Sequence, residues 1–206
     1  MKRLLPLPSA FSRFRAMGGV LDFAAFEDAN GTDDEALSAV PQVLRTGTYD
    51  QEKLRSLGSQ RISERTFFGD WYDYETGVLL KGGNWVTKDG RTFNNPPLAK
   101  IAGLDIVSGG GGLPAGPGQF AYAFLDPPYG LHAKPPPEEV QAVFDEIRNF
   151  ILPPGQSCEI ADWSNERLPE VSDYFEAGAE WWGVFLFSIY VPSLRRLTII
   201  AGSSTD

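Results

Sequence analysis

The clearest pattern of hydrophobic and polar positions lies between residues 137 and 151. Apolar side chains recur there at i, i+3, i+4, i+7 and i+11, the spacing that places them on one face of a helix. They are Val140, Val143, Phe144, Ile147 and Ile151. Pro137 and the two glutamates after it are typical of a helix start, and the Pro-Pro-Gly run at 153–155 ends the pattern. The pattern predicts one amphipathic helix over residues 137–151.

Three shorter helices are predicted from capping residues and short apolar stripes. Thr32 or Asp33 can cap the first, because both side chains accept hydrogen bonds from the free N–H groups of a first turn. Asp50 can cap the second helix, and Gly58 is expected to end it. The third is predicted over residues 168–175.

Aromatic and β-branched residues predict strands in several places. Residues 66–107 are rich in them, and the Lys-Asp-Gly sequence at 88–90 predicts a hairpin. In residues 120–125 bulky and small apolar residues alternate, which predicts a strand buried on both faces. The remaining predicted strands are residues 158–163, 184–191 and 197–201, the last two as an antiparallel pair.

These elements predict a single domain of α/β or α+β class with a mixed central sheet and a C-terminal order of strand, helix, strand, helix and hairpin. A length of 206 residues fits one domain. Within it the expected parts are an irregular N-terminal part (1–65), a β-rich part (66–107), a Gly/Pro-rich loop (109–118) and an α/β part (119–206).

The net charge of the chain limits the kinds of partner that it is expected to bind. The chain holds 18 Lys and Arg against 27 Asp and Glu, for a net charge of −9. That balance argues against a general affinity for nucleic acid or for an anionic membrane, both of which need basic charge. One Cys excludes an internal disulfide, and one His limits any metal site to carboxylates, so we expect no metal. Because no apolar run approaches a membrane span, we expect a cytoplasmic protein.

One short motif carries a specific resemblance. Residues 126–129 read Asp-Pro-Pro-Tyr after an apolar run. The segment 123–130 resembles the Asp-Pro-Pro-Tyr motif of S-adenosylmethionine-dependent amino-methyltransferases, which include adenine-N6 enzymes. The resemblance implies that Asp126 ends a strand and accepts a hydrogen bond from the target amine, and that Tyr129 stacks on the base. It also implies S-adenosylmethionine as cofactor, with Gly19 and Asp22 as the residues that would bind it.

The first half of the chain departs from that family. A cofactor turn needs glycines where backbone approaches the ligand, and Ala24, Ala25 and Phe26 occupy those places. The leading interpretation is therefore a small acidic, non-catalytic protein-binding domain of inhibitor or immunity type, without cofactor, whose partner has a basic surface. The alternative is the methyltransferase or a degenerate relative that has lost the cofactor site, and nucleic acid is expected as a partner only in that case.

Acids and aromatic rings alternate at residues 70–75, and Trp85 follows nearby. We expect Asp70, Trp71, Asp73 and Trp85 to form the binding surface. Paired carboxylates among aromatic rings can also cleave or bind sugars. A half-buried strand with solvated acids is the simpler interpretation of the same residues.

Overall fold

A six-stranded antiparallel sheet forms the centre of the computed structural model, which describes residues 1–44, 48–111, 114–128, 130–180 and 182–204. The strands of the described residues are β1 (Lys2–Arg3), β2 (Asp22–Glu27), β3 (Gln60–Ile62), β4 (Tyr72–Asp73), β5 (Val78–Leu79), β6 (Asn84–Thr87), β7 (Thr92–Asn94), β8 (Ile106–Gly110), β9 (Glu159–Asp162), β10 (Val184–Val191) and β11 (Arg196–Ser203). The central order is β1-β2-β11-β10-β9-β3. β10 and β11 are its longest pair, in register from Val184 opposite Ser203 to Val191 opposite Arg196.

Helices cover both faces of this sheet. Their bounds are α1 (Ser9–Ala16), α2 (Asp33–Ala39), α3 (Gln51–Leu57), α4 (Glu64–Phe68), α5 (Leu98–Ile101), α6 (Phe120–Leu125), α7 (Pro137–Ile151) and α8 (Glu176–Ala179). Four short 3₁₀ turns occupy Val40–Gln42, Leu168–Glu170, Asp173–Phe175 and Pro192–Leu194. Within the described ranges, no helix has the length and apolar character needed to cross a membrane.

The side chains of β10 show why the molecule has three layers. Successive residues of a strand point to opposite faces. Phe185 and Phe187 contribute to the core beneath α1, α4, α6 and α7, whereas Leu186 contributes to the core beneath α2 and α3. β10 therefore has buried apolar residues on both faces, with Phe187 and Leu186 each at 0% exposure.

The α+β class and several predicted elements are confirmed. The amphipathic helix runs over Pro137–Ile151, and all five residues of its apolar stripe are buried. Thr32 caps α2 in a capping box with Glu35, and Asp50 caps α3. The C-terminal hairpin forms as β10 and β11, and the hairpin around 88–90 forms as β6 and β7.

Three expectations are corrected. Residues 120–125 form helix α6 and not a strand, because a fully buried apolar run satisfies either structure and Ala121 and Ala123 favour a helix. The pairings of the central sheet are all antiparallel and not mixed. Residues 1–65, expected to be irregular, supply β1, β2 and β3 to the central sheet together with three helices.

The β-rich part rests against the helical layer. A short pair, β4 and β5, and a three-stranded sheet in the order β7-β6-β8 lie within residues 72–110. The segment expected to be sheet also contains the short helix α5 and the end of α4. Trp71 anchors this part, since its ring is 3% exposed and lies edge-on to Tyr122 with the ring centroids 5.1 Å apart.

Candidate functional site

A cleft of about 580 Å³ opens where β9 ends and β10 begins. Antiparallel pairing brings these two strand ends together at one edge of the sheet, where Trp163 N–H donates to the carbonyl of Leu186. Helix α6, the loop before it and the turn between α3 and β3 complete the walls. The described lining residues are Leu57, Gly58, Ser59, Gln60, Pro114, Gly116, Pro117, Gly118, Gln119, Tyr122, Asp162, Ser164, Asn165, Trp182, Gly183, Val184 and Phe185.

Asp162, the last residue of β9, supplies a buried carboxylate to this cleft. Its residue is 5% exposed. The backbone N–H of Gly118 donates to Oδ2 at 2.6 Å, and that of Ser164 donates to Oδ1 at 2.8 Å. Burial raises the pKa of the Asp162 carboxyl, while hydrogen bonds from Ser164 and Gly118 act in the opposite direction. Two backbone donors thus partly replace the water that this carboxylate has lost.

Three aromatic rings stand together in the wall. The centroids of Trp182 and Phe185 are 5.1 Å apart, and Tyr122 lies 6.3 Å from Trp182 and 6.2 Å from Phe185. Burial, and then the charge of Asp126, raise the pKa of the Tyr122 hydroxyl, which therefore stays protonated at neutral pH. Among the described residues the Tyr122 hydroxyl has no hydrogen-bond partner, although the residue is 4% exposed.

The described lining of the cleft contains no Lys, Arg or His, and Asp162 is its one charged residue. Two exposed carboxylates, Glu166 and Glu180, lie close by in the sequence, next to the lining residues Asn165 and Trp182 respectively (one and two positions away). Neither glutamate forms an ion pair within the described residues. The cleft therefore has a negative charge that no side chain of its described lining compensates.

The described second half of the Gly/Pro-rich loop, residues 114–118, has a defined role in the cleft. Gly116 and Gly118 have φ of +91° and +84°, which side chains other than glycine rarely adopt. A Cβ at Gly118 would stand 1.9 Å from the carbonyl oxygen of Thr66. Gln119 also has a positive φ, and its side-chain oxygen accepts a hydrogen bond from Asp70 N–H at 3.4 Å. The loop thus presents the Gly118 N–H to Asp162.

Asp126 does not end a strand, contrary to what the methyltransferase resemblance implies. It follows helix α6, and its Oδ1 pairs with Lys81 Nζ at 2.5 Å. Its backbone carbonyl accepts the indole N–H of Trp182 at 2.7 Å. With Lys81 as its partner, the carboxylate already holds the kind of donor that a target amine would supply. The prediction for Tyr129 lies outside the described residues.

Gly19 and Asp22 do share a cavity, of about 370 Å³, but Asp126 lines a different one of about 270 Å³. The space over Gly19 is filled, because a Cβ there would lie 2.2 Å from the ring of Phe14. Asp22 is 5% exposed, pairs with Arg15 at 2.5 Å and accepts the Tyr174 hydroxyl at 3.0 Å. The residues present therefore do not fit S-adenosylmethionine in the manner that the resemblance implies.

The four residues expected to form a binding surface do not share one. Trp71 is buried, whereas Trp85 is half-buried and donates its indole N–H to the carbonyls of Lys81 and Gly82. Lys81 Nζ lies 4.9 Å from the Trp71 ring centroid and 5.5 Å from that of Trp85. Asp73 accepts the N–H groups of the turn that joins β4 to β5, and its pKa is lowered by the hydrogen bond from Thr76. Asp70 remains exposed.

Sequence reasoning missed Asp162 as a site residue. The available signal was an acid within the apolar run Ile160-Ala161-Asp162-Trp163, a place where a strand buries its side chains. Its partner Gly118 could not be named, because Gly118 lies 44 positions away in the sequence. The fold and the cleft together define a three-layer α+β chain whose described cleft lining has one buried carboxylate, that of Asp162. No family model, curated protein or solved structure matches this chain.

Proposed function

We propose that this protein is a non-catalytic binding domain, of inhibitor or immunity type, that recognises a protein with a basic surface. The observation that carries the proposal is a set of exposed carboxylates that form no ion pair within the described residues. They are Glu27, Asp28, Asp70, Asp105, Glu138, Glu139, Glu159, Glu166, Glu176 and Glu180. Several arginines, in contrast, are engaged by carboxylates, such as Arg13 by Glu146 and Arg55 by Asp34.

Uncompensated negative charge acts at a distance on a basic partner. A surface potential of one sign raises the rate of encounter with the opposite sign by a factor of about 10 to 1,000, and salt reduces the effect. It also disfavours acidic proteins, so that it contributes to selection as well as to rate. Recognition of this kind needs no reaction at the site, and an inhibitor acts simply by covering the surface it binds.

The test is capture of the partner by the immobilised full chain, at low and at high salt, from the lysate of the source organism. The variant Glu166→Lys/Glu180→Lys reverses two charges beside the cleft. Glu138→Lys/Glu139→Lys makes the same charge change at residues that do not line the cleft. We expect the wild type to retain a basic protein at low salt, and we expect the association rate of that protein to fall about tenfold with the first variant and by less with the second.

Two results would count against the proposal. One is that the wild type retains no protein at low salt. The other is that capture is equal at both salt concentrations and for all three proteins, since electrostatic recognition cannot be insensitive to both changes.

A further inference from the structure

The cleft has the composition of a site for one organic cation, and its residues indicate which kind. A carboxylate that is 95% removed from solvent normally lies beside a cation, because an unpaired buried charge is costly. Asp162 is 5% exposed, and no Lys, Arg or His stands among the described residues that line its cleft. The counter-charge is therefore missing from the described lining, while a cleft of about 580 Å³ leaves room for it to enter from outside.

The carboxylate retains acceptor capacity for such a group. A carboxylate offers about four lone-pair positions. The N–H groups of Gly118 and Ser164 use two of them, and the Ser164 hydroxyl lies close enough to contribute a third hydrogen bond. At least one acceptor position stays open. Further uncharged polar side chains, Gln60 and Asn165, line the same cleft and can accept additional N–H groups.

The aromatic wall distinguishes a flat cation from a compact one. Trp182, Phe185 and Tyr122 form a contiguous set of rings with centroids 5.1–6.3 Å apart. A guanidinium is planar, weakly hydrated and stacks on aromatic faces while its N–H groups reach an acceptor at the edge. An ammonium is strongly hydrated and lacks a flat face, so that it loses more water on entering and gains less from the rings.

We propose that the cleft receives one guanidinium group, and that an arginine side chain of the basic partner supplies it. The second part of this inference rests on the proposed function, since it requires a protein partner. Arginine is enriched among the residues that dominate binding at protein interfaces, where it fills desolvated pockets. Asp162 and the three rings would then form the specific contact, while the exposed carboxylates act through charge over a longer range.

The first experiment needs no partner and follows the wild-type protein by amide and indole NMR. Ethylguanidinium chloride is titrated against propylammonium chloride and potassium chloride at matched ionic strength. We expect ethylguanidinium to shift the signals of Gly118, Ser164 and the Trp182 indole with a Kd on the order of 1–10 mM, the range for so small a ligand. Propylammonium should bind at least about fivefold more weakly, and potassium should leave these signals in place.

Variants identify the carboxylate as the recognised group. Asp162→Asn keeps the shape and removes the charge, and should weaken ethylguanidinium at least tenfold. Glu146→Gln removes one charge at a residue that neither lines the cleft nor belongs to the unpaired carboxylates, and it should leave the Kd unchanged. Equal shifts with all three salts, or undiminished affinity in a folded Asp162→Asn protein, would overturn the proposal. If Asp162→Asn fails to fold, the proposal is tested by the preference of the wild type for ethylguanidinium over propylammonium.

A second set of titrations distinguishes a protein source of the guanidinium from a small-molecule source. Blocked Gly-Arg-Gly and Gly-Lys-Gly peptides present the two cations on a chain, and free arginine presents a small zwitterion. Binding of the arginine peptide at least as tight as that of ethylguanidinium supports a protein source, and binding of free arginine alone refutes it. If the small guanidinium binds while no protein is captured, the proposed function fails and the guanidinium site stands. If a protein is captured while no guanidinium binds, the proposed function stands and the guanidinium site fails.

Discussion

Gly118→Ala should destabilise the protein by much more than Gly116→Ala, although both glycines lie in one loop with similar positive φ. An alanine in this region costs about 1–2 kcal/mol in backbone strain, less a few tenths gained from a stiffer unfolded chain. At Gly116 nothing else is affected, since a Cβ there meets no atom within 4 Å. We therefore expect Gly116→Ala to lower the free energy of unfolding by about 1 kcal/mol.

At Gly118 two further effects add to that strain. The new Cβ would lie 1.9 Å from the Thr66 carbonyl oxygen, well inside an ordinary van der Waals contact of 3.4 Å or more. To restore an ordinary contact, the loop must shift by about 1.5 Å, the difference between 3.4 Å and 1.9 Å. Such a shift breaks the 2.6 Å hydrogen bond from Gly118 N–H to Asp162 and leaves a buried carboxylate short of a donor, which costs about 1–3 kcal/mol. The expected total is about 2–4 kcal/mol.

Urea unfolding followed by circular dichroism measures both variants, with an unchanged m-value as the condition for comparing them. Combining Gly118→Ala with Asp162→Ala in a double-mutant cycle isolates the share that belongs to the hydrogen bond. An equal decrease in the free energy of unfolding for Gly116→Ala and Gly118→Ala would refute the reasoning. The backbone strain common to both variants would then account for the whole decrease at Gly118. Guanidinium binding should be lost in Gly118→Ala and kept in Gly116→Ala.

Three other predictions concern the core, the Lys81–Asp126 ion pair and acid stability. Phe144→Ala should cost about 3–5 kcal/mol in urea unfolding, because the ring is 0% exposed, and a loss below about 1 kcal/mol would contradict that packing. A double-mutant cycle of Lys81→Met and Asp126→Asn should give a coupling of about 1 kcal/mol, since these side chains are 22% and 34% exposed, and zero coupling would show that the ion pair does not stabilise the fold. Hydrogen bonds from Arg167 and then from Lys53 lower the pKa of Glu170 from 4.5 to about 2, so the stabilising effect of these contacts is present above pH 4.5 and is lost as the pH falls toward 2. NMR titration should show Arg167→Met raising that pKa part of the way toward 4.5, because Lys53 still pairs with Glu170, and an unchanged value would refute the role of Arg167.

The helix that sequence predicts most directly is one in which a single face is buried. In α7 the apolar positions Val140, Val143, Phe144, Ile147 and Ile151 alternate with polar ones at helical spacing, so that the period itself identifies the structure. Capping residues add independent information, and the predicted caps of α2 and α3 are found in the structure. Such signals are local, and they need no knowledge of what packs against the element.

Residues 120–125 lack a signal of that kind. All six are buried, so their environment has no polar side from which a period could be read. The alternation of large rings with alanine imitates a strand, yet in the folded chain the rings of Phe120 and Phe124 both pack on Phe144. Contacts with α7, which no local window contains, decide the conformation.

The site was missed for a related reason. Asp162, Trp182 and the pair Gly118 and Tyr122 come from three separate segments, which antiparallel pairing and the loop before α6 bring together. Each of them alone has a simple structural interpretation. The residues that drew attention, Asp70, Trp71, Asp73 and Trp85, were instead close in sequence, and proximity along the chain did not give them a common surface.

The Asp-Pro-Pro-Tyr segment has a structural consequence for the cleft. Trp182 can hold its ring in the wall because its indole N–H is satisfied by the backbone carbonyl of Asp126. Two prolines follow that carbonyl and fix φ at consecutive residues, which limits how far it can turn away. The Asp126 side chain points to a separate partner, Lys81, so that one residue joins the aromatic wall to the β-rich part. The segment thus provides a rigid backbone acceptor, which is what the N–H group of a buried tryptophan requires.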